Sequence, residues 1–182
     1  FYQKLDKMLD LGANQLLQRL DLRAAKRVYN LPFLMGQGVW LDSVQLGPND
    51  VVRGVLKHGP LSIGFIGLAE TLTALYGHHH GESDEMQQKG LQIVKYMRDY
   101  CDRKSQEMKM NFTLLATPAE GLSGRFIRMD KKRYGNIPGV TDRDYYTNSF
   151  HIPVWFNISA YDKINKEAPY HALTNAGHIS YV

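Results

Sequence analysis

Apolar positions recur at three- and four-residue steps from the first turn of the chain. Leu5, Met8, Leu9, Ala13, Leu16, Leu17 and Leu20 fall on one stripe, which predicts an amphipathic helix already running at residue 1. The periodicity lapses over 30–48, where Gly36, Gly38, Gly47 and Pro48 predict a loop. Asn49 or Asp50 is placed to cap a short helix through Leu56. Residues 61–66 read as a buried strand in which Gly64 and Gly67 allow close backbone approach, and 68–76 read as a helix. Ser83, followed by Asp84 and Glu85, opens another helix, with Met86, Gly90, Val94, Met97, Cys101, Ser105 and Met108 on one face.

The apolar run 112–116 predicts a second buried strand. It leads directly into Thr117-Pro118-Ala119-Glu120, where Thr117 suits a cap, Pro118 the first helical position and Glu120 a capping box. Beyond it, 137–146 is loop-rich with a turn at Pro138-Gly139. Residues 150–156 alternate like a strand, although Pro153 suits an edge or bulge. A charged helix over 162–167 is expected to end at Pro169, and the chain closes on an expected strand at 179–182. Strands alternating with helices predict an α/β fold.

A strand that delivers its end into a helix N-terminus is an arrangement that binds anions, because free N–H groups and the helix dipole meet there. The unsatisfied donors of that first turn are the N–H groups of Ala119, Glu120 and Gly121. Gly121 admits a close ligand and Ser123 adds a hydroxyl, whereas the charge of Glu120 works against an anion. A well-capped helix with no ligand is the competing reading.

Composition adds limits. The chain has 182 residues, 43% hydrophobic and 22% charged, with a net charge of +4, which suits one globular domain and does not by itself argue for nucleic-acid binding. Arg125, Arg128, Lys131, Lys132, Arg133 and Arg143 gather after the turn, as a solvated loop of mixed charge or as a nucleotide-facing rim. One cysteine excludes an internal disulfide. No stretch has the apolar length of a membrane helix, and a cytoplasmic protein is expected. His78-His79-His80 reads as an exposed polar turn, because consecutive histidines diverge and no metal geometry follows. Cys101, on a buried helical stripe, reads as core. His151, His171 and His178 are expected in or beside strands as hydrogen-bonded packing residues.

Five blocks resemble the anaerobic (class III) ribonucleoside-triphosphate reductases, a glycyl-radical enzyme family: LSIGFIGLAETLTALYG (61–77), NFTLLATPAEGLSGRF (111–126), IPGVTDRDYYTNSFHIPV (137–154), EAPYHAL (167–173) and TNAGHISYV (174–182). They stand in family order and span about two thirds of the chain. The resemblance implies a part of the ten-stranded α/β barrel of ribonucleotide reductases and glycyl-radical enzymes. Residues 1–182 would be a single piece of that catalytic barrel, truncated at both ends. It implies an oxidoreductase of deoxyribonucleotide biosynthesis and DNA replication, reducing ribonucleoside triphosphates by radical chemistry.

In the family the turn matching Thr117, Ala119, Glu120, Gly121 and Ser123 receives substrate phosphates. Asn148, His151, Asn175 and His178 are the further candidates for a substrate pocket. The resemblance places the thiyl cysteine before Phe1 and the radical glycine after Val182, so no catalytic residue, metal ligand or cofactor site is expected here, and the isolated chain is expected to be inactive. For the full-length family it implies a glycyl radical, formate or a thiol reductant, ATP and dNTP effectors and zinc in a C-terminal module. Its partners are a radical-SAM activating enzyme and a second subunit in a homodimer, with no membrane or nucleic acid. The alternatives are a non-catalytic nucleotide- or phosphate-binding module, and a scaffold domain using the first helix.

Overall fold

The computed structural model describes residues 1–181; Val182, the last residue of the expected 179–182 strand, lies outside the described residues. Besides two single-turn 3-10 helices at Val28–Asn30 and Ser43–Gln45, the described residues form, in order, α1 (Tyr2–Ala24), α2 (Arg53–Leu56), β1 (Leu61–Phe65), α3 (Leu68–Tyr76), α4 (Asp84–Met108), β2 (Phe112–Ala116), α5 (Glu120–Tyr134) and α6 (Ala160–His171). The fold is α/β. β1 and β2 are neighbours in a two-stranded sheet. Register climbs together along both: Leu61 N–H bonds Asn111 O at 2.8 Å, and the Ser62 and Thr113 hydroxyls meet at 2.9 Å.

The chain divides into two compact units, one of Phe1–Ile63 with Tyr100–Thr113, the other of Gly64–Asp99 with the chain from Leu114 onward. In the first, α1 follows its predicted stripe but buries only Leu9, Ala13 and Ala24, and Met8 is exposed. The 30–48 loop wraps a small core of Val28, Met35, Val52 and Val55, against which Trp40 packs. The indole N–H of Trp40 is spent on Val55 O at 2.8 Å. Neither Asn49 nor Asp50 caps α2, which starts after Val52 without a side-chain cap. Asp50 instead accepts from Gly47 N–H at 2.8 Å and closes the preceding turn.

In the second unit α3 occupies its predicted span. Gly77 ends it with φ 86° and an N–H bond to Thr73 O, the left-handed closure that glycine adopts without strain. Ser83 caps α4 through Met86 N–H at 3.2 Å. Met86, Gly90, Val94 and Met97 are buried as the stripe predicts, as is Cys101 further along α4, whereas Met108 is exposed. The unit's core joins Leu72, Val94, Leu114, Phe150, Ile152 and Tyr170, with the rings of Phe150 and Tyr170 stacked at 5.2 Å.

Four expectations fail here. Residues 150–156 form no strand; Phe150 O accepts from His80 Nε2 at 2.7 Å and Ile152 N–H donates to Glu167 at 3.0 Å, so side chains replace a ladder that Pro153 could not complete. Pro169 lies inside α6 rather than ending it; near the end of the helix only one intrahelical bond is lost. Residues 179–181 are not strand, and among the described residues β2 meets this stretch of the chain through an isolated bridge from Leu115 to Gly177. His79 and His80 are buried rather than exposed, and only His78 faces solvent. Glu82 gathers the turn by accepting from His79 N–H at 2.8 Å and His78 Nδ1 at 2.7 Å. The His79 ring meets Phe156 edge-on at 4.7 Å. Burial holds His80 down to about 4, so it stays neutral in the core.

Candidate anion-binding turn

β2 ends at Ala116 and the chain turns through 117–119 before α5 begins at Glu120, two residues later than the capping pattern predicts. Thr117 does not cap: its hydroxyl is buried without a partner among the described residues. The helix has no side-chain cap, and Ala119 stands at the cap position. Its N–H is taken by Asn148 Oδ1 at 3.1 Å. A residue 29 positions away therefore does what the local Thr117 was expected to do.

Ala119 is right-handed at φ −78° and ψ −8°, and Glu120 follows at φ 36°. Successive right- and left-handed residues turn three consecutive N–H groups into one concavity, a shape that receives anions. Asn148 occupies the first donor. Glu120 and Gly121 donate to no protein acceptor among the described residues, and a Cβ at Gly121 would meet open space. Glu120 and Ser149, at φ 36° and 40°, follow the two partners of the Ala119–Asn148 bond, one on each segment. Non-glycine residues held at positive φ cost energy and persist where surroundings enforce them, often at binding sites.

Ser123 and Asn148 line a cavity of about 130 Å³ with Tyr146, His151, Lys163 and Tyr181 among its walls. Ser123 Oγ donates to Glu120 O at 2.7 Å and so steadies the turn rather than facing outward. His151 is buried and gives Nδ1–H to Glu167 at 3.2 Å. Lys163 Nζ lies 2.5 Å from the same carboxylate and 2.6 Å from Tyr181 O. Burial pushes the Glu167 carboxyl up, but the bonds from His151, Lys163 and Ile152 N–H outweigh it and hold it at about 2.

On the other side of the Asn148 segment, buried Glu70 accepts from Thr147 N–H at 2.8 Å and from Thr147 Oγ1 at 2.7 Å. Burial raises its pKa and the two Thr147 bonds partly oppose that. Asn175 and His178 do not line the cavity. Asn175 Oδ1 accepts from Leu114 N–H at 3.0 Å, and His178 stacks on His171 at 3.9 Å. The structure thus joins Ala119, Glu120, Gly121, Ser123, Asn148 and His151 around one corner and leaves the other two candidates on the flank of β2. Of the basic rim, Arg143 stacks over Trp155 at 4.1 Å and Lys131 pairs loosely with Asp144 at 3.9 Å.

Glu70, Thr147, Lys163 and Glu167 escaped the sequence reading. Glu70 carries a signal in retrospect: it is an acid among the buried neighbours Leu68, Ala69 and Leu72, a position where charge needs a partner. Among the described residues no group of three or more His, Cys, Asp or Glu converges as a metal site, so none is assigned to zinc. No described helix is long and apolar enough to cross a membrane.

The family model for anaerobic ribonucleoside-triphosphate reductase matches residues 1–182. The chain belongs to that family. It is 38% identical over 184 aligned positions to the anaerobic ribonucleoside-triphosphate reductase of Escherichia coli (strain K12), covering 100% of this chain and 26% of the relative. Identity to the enzyme of the same name from Salmonella typhimurium is 39%, with the same coverage. The reductase of Enterobacteria phage T4 is 34% identical, again over the whole chain and 28% of the relative. The chain spans about a quarter of the length of the curated relatives it matches.

Proposed function

We propose that this chain is a piece of the ten-stranded α/β barrel of an anaerobic ribonucleoside-triphosphate reductase, and that the 117–123 turn receives the substrate triphosphate. One observation carries the reading: among the described residues the N–H groups of Glu120 and Gly121 have no protein acceptor, and they share a concavity that opens to free space at Gly121. Oxygens of a phosphate accept from both. Asn148 holds Ala119 through its carbonyl, and its NH₂ is the further donor this reading assigns to the ligand. Lys163 is neutralised by Glu167, so the cavity offers polarity rather than net positive charge, and the affinity for the triphosphate rests on directed N–H donors.

Radical chemistry at the ribose comes, on this reading, from a glycyl radical with its thiyl partner, and electrons come from formate or a thiol. This chain's residues bind and orient. Its single thiol, Cys101, is 0% exposed, which fits a packing role and not a radical relay. A radical-SAM activating enzyme, nucleotide effectors, a homodimeric assembly and a cytoplasmic setting belong to the same proposal.

Gly121→Val tests it in a reductase of full length carrying this sequence. The new side chain points into open space, so the protein is expected to fold normally. Steady-state kinetics are expected to show KM for the ribonucleoside triphosphate raised roughly tenfold with kcat little changed, the pattern of lost ground-state binding. An unchanged KM would remove the turn from the substrate site.

A further inference from the structure

We propose that Glu70 is a positioning residue for the triphosphate turn: by holding Thr147 with one carboxylate oxygen it aims the Asn148 amide at Ala119 and so keeps the concavity open at Glu120 and Gly121. This rests on the proposed role of the 117–123 turn and adds a residue that never touches substrate.

The geometry carries the link in two steps. Glu70 Oε1 takes both the N–H and the hydroxyl of Thr147, at 2.8 and 2.7 Å. The next residue, Asn148, reaches across to Ala119 N–H at 3.1 Å. The 147–149 segment is also paired by backbone to the start of α3, through Gly67 N–H to Thr147 O at 2.7 Å and Leu68 N–H to Ser149 O at 3.3 Å. Those bonds fix the segment's position along the chain. With the antiparallel bridge between Ile66 and Asn148 they hold one edge of the segment, and the roll of its Thr147 end is held in addition by Glu70, the only side chain among the described residues that grips Thr147 from both its donors. Roll matters because Ser149 sits at φ 40°, a strained state that relaxes if the preceding residue is free to turn.

A feature unexplained by packing points the same way. Glu70 is 8% exposed, yet its second oxygen, Oε2, has no partner among the described residues. A carboxylate retained solely for stability is expected to satisfy both oxygens or to be replaced by an apolar side chain. Here one oxygen does all the holding, and the residue is present for that double grip.

The test uses the full-length reductase carrying this sequence, assayed with its ribonucleoside triphosphate. Glu70→Leu is expected to raise KM roughly tenfold with kcat within about twofold, since a turn displaced by a fraction of an ångström binds the phosphates poorly. Glu70→Gln retains an oxygen that accepts both Thr147 bonds and is expected to restore KM to within about twofold. Asn148→Ala is expected to raise KM comparably, and adding Glu70→Leu to it is expected to change nothing further, because both act through one bond. If Glu70→Leu fails to fold, Thr147→Val, which deletes only the hydroxyl, is read in its place against the same Asn148→Ala background.

Multiplying effects of the two substitutions, or a Glu70→Leu enzyme with normal KM, would overturn the proposal. If KM stays normal in that enzyme while Gly121→Val raises it, the turn remains the phosphate site and only the role of Glu70 falls. If Gly121→Val also leaves KM unchanged, both fall together.

Discussion

Glu167→Leu is expected to be the most destabilising single substitution in the second unit, costing about 3–5 kcal/mol, the usual effect of removing one member of a buried ionic network. The carboxylate is 1% exposed and satisfies three donors, His151 Nδ1, Lys163 Nζ and Ile152 N–H. Leucine fills the volume but leaves the buried Ile152 N–H without its acceptor and takes the carboxylate from the part-buried Lys163 charge. The effect should travel, because the same bonds fix the 150–152 segment onto α6 and close one wall of the cavity. Acid tests the interaction without mutation. The Glu167 carboxyl falls from 4.5 to about 2 on folding, which at 1.36 kcal/mol per unit comes to about 3 kcal/mol. Its folded pKa is the lower one, so this stability is fully present above pH 4.5 and is lost as pH falls towards 2. Denaturant unfolding of the wild type is expected to weaken across that window, and Glu167→Leu to lose the dependence. Equal pH dependence in both would assign acid sensitivity elsewhere.

Gly64→Ala is expected to act on function more than on stability. A Cβ at Gly64 would overlap Thr117 Oγ1 and lie 3.3 Å from Thr117 Cβ. Turning the hydroxyl aside does not clear the second contact, so the turn itself must shift. Overpacking of this kind costs about 1–3 kcal/mol, while displacement of a binding turn by a fraction of an ångström to an ångström can cost roughly a hundredfold in kcat/KM. Thermal unfolding and steady-state kinetics on the same preparation separate the two. A Gly64→Ala enzyme with wild-type kinetics would mean that the 117–119 turn is free to move without consequence for substrate.

Legibility in the sequence follows how local the causes are. β1, α3 and β2 stand where apolar runs, Gly77 and the strand-to-turn boundary put them, because each is bounded by backbone chemistry within a few residues. The helix start at 117–120 carries three agreeing local signals and still begins later, since Asn148, distant in sequence, supplies the acceptor and Glu120 takes a positive φ. Residues 150–156 alternate as a strand does, yet their polar groups are met by His80 and Glu167, neither of which a local pattern reveals. His79 and His80 look like a solvated turn until Phe156, Trp155 and Phe150 close over them. For the candidate site, the turn residues and Asn148 were legible through family wording. Glu70, Lys163 and Glu167 were not, because their roles exist only once α3, α6 and the 147–152 segment are brought together.

The most direct measurement is a crystal structure of the full-length reductase carrying this sequence with a bound ribonucleoside triphosphate. Phosphate oxygens are expected within hydrogen-bond distance of the Glu120 and Gly121 N–H groups, about 2.7–3.2 Å, with the Asn148 amide still on Ala119. Phosphates found only over the Lys131, Lys132 and Arg133 side chains, with those two N–H groups facing solvent, would contradict the assignment and leave the turn as a strained helix start without a ligand.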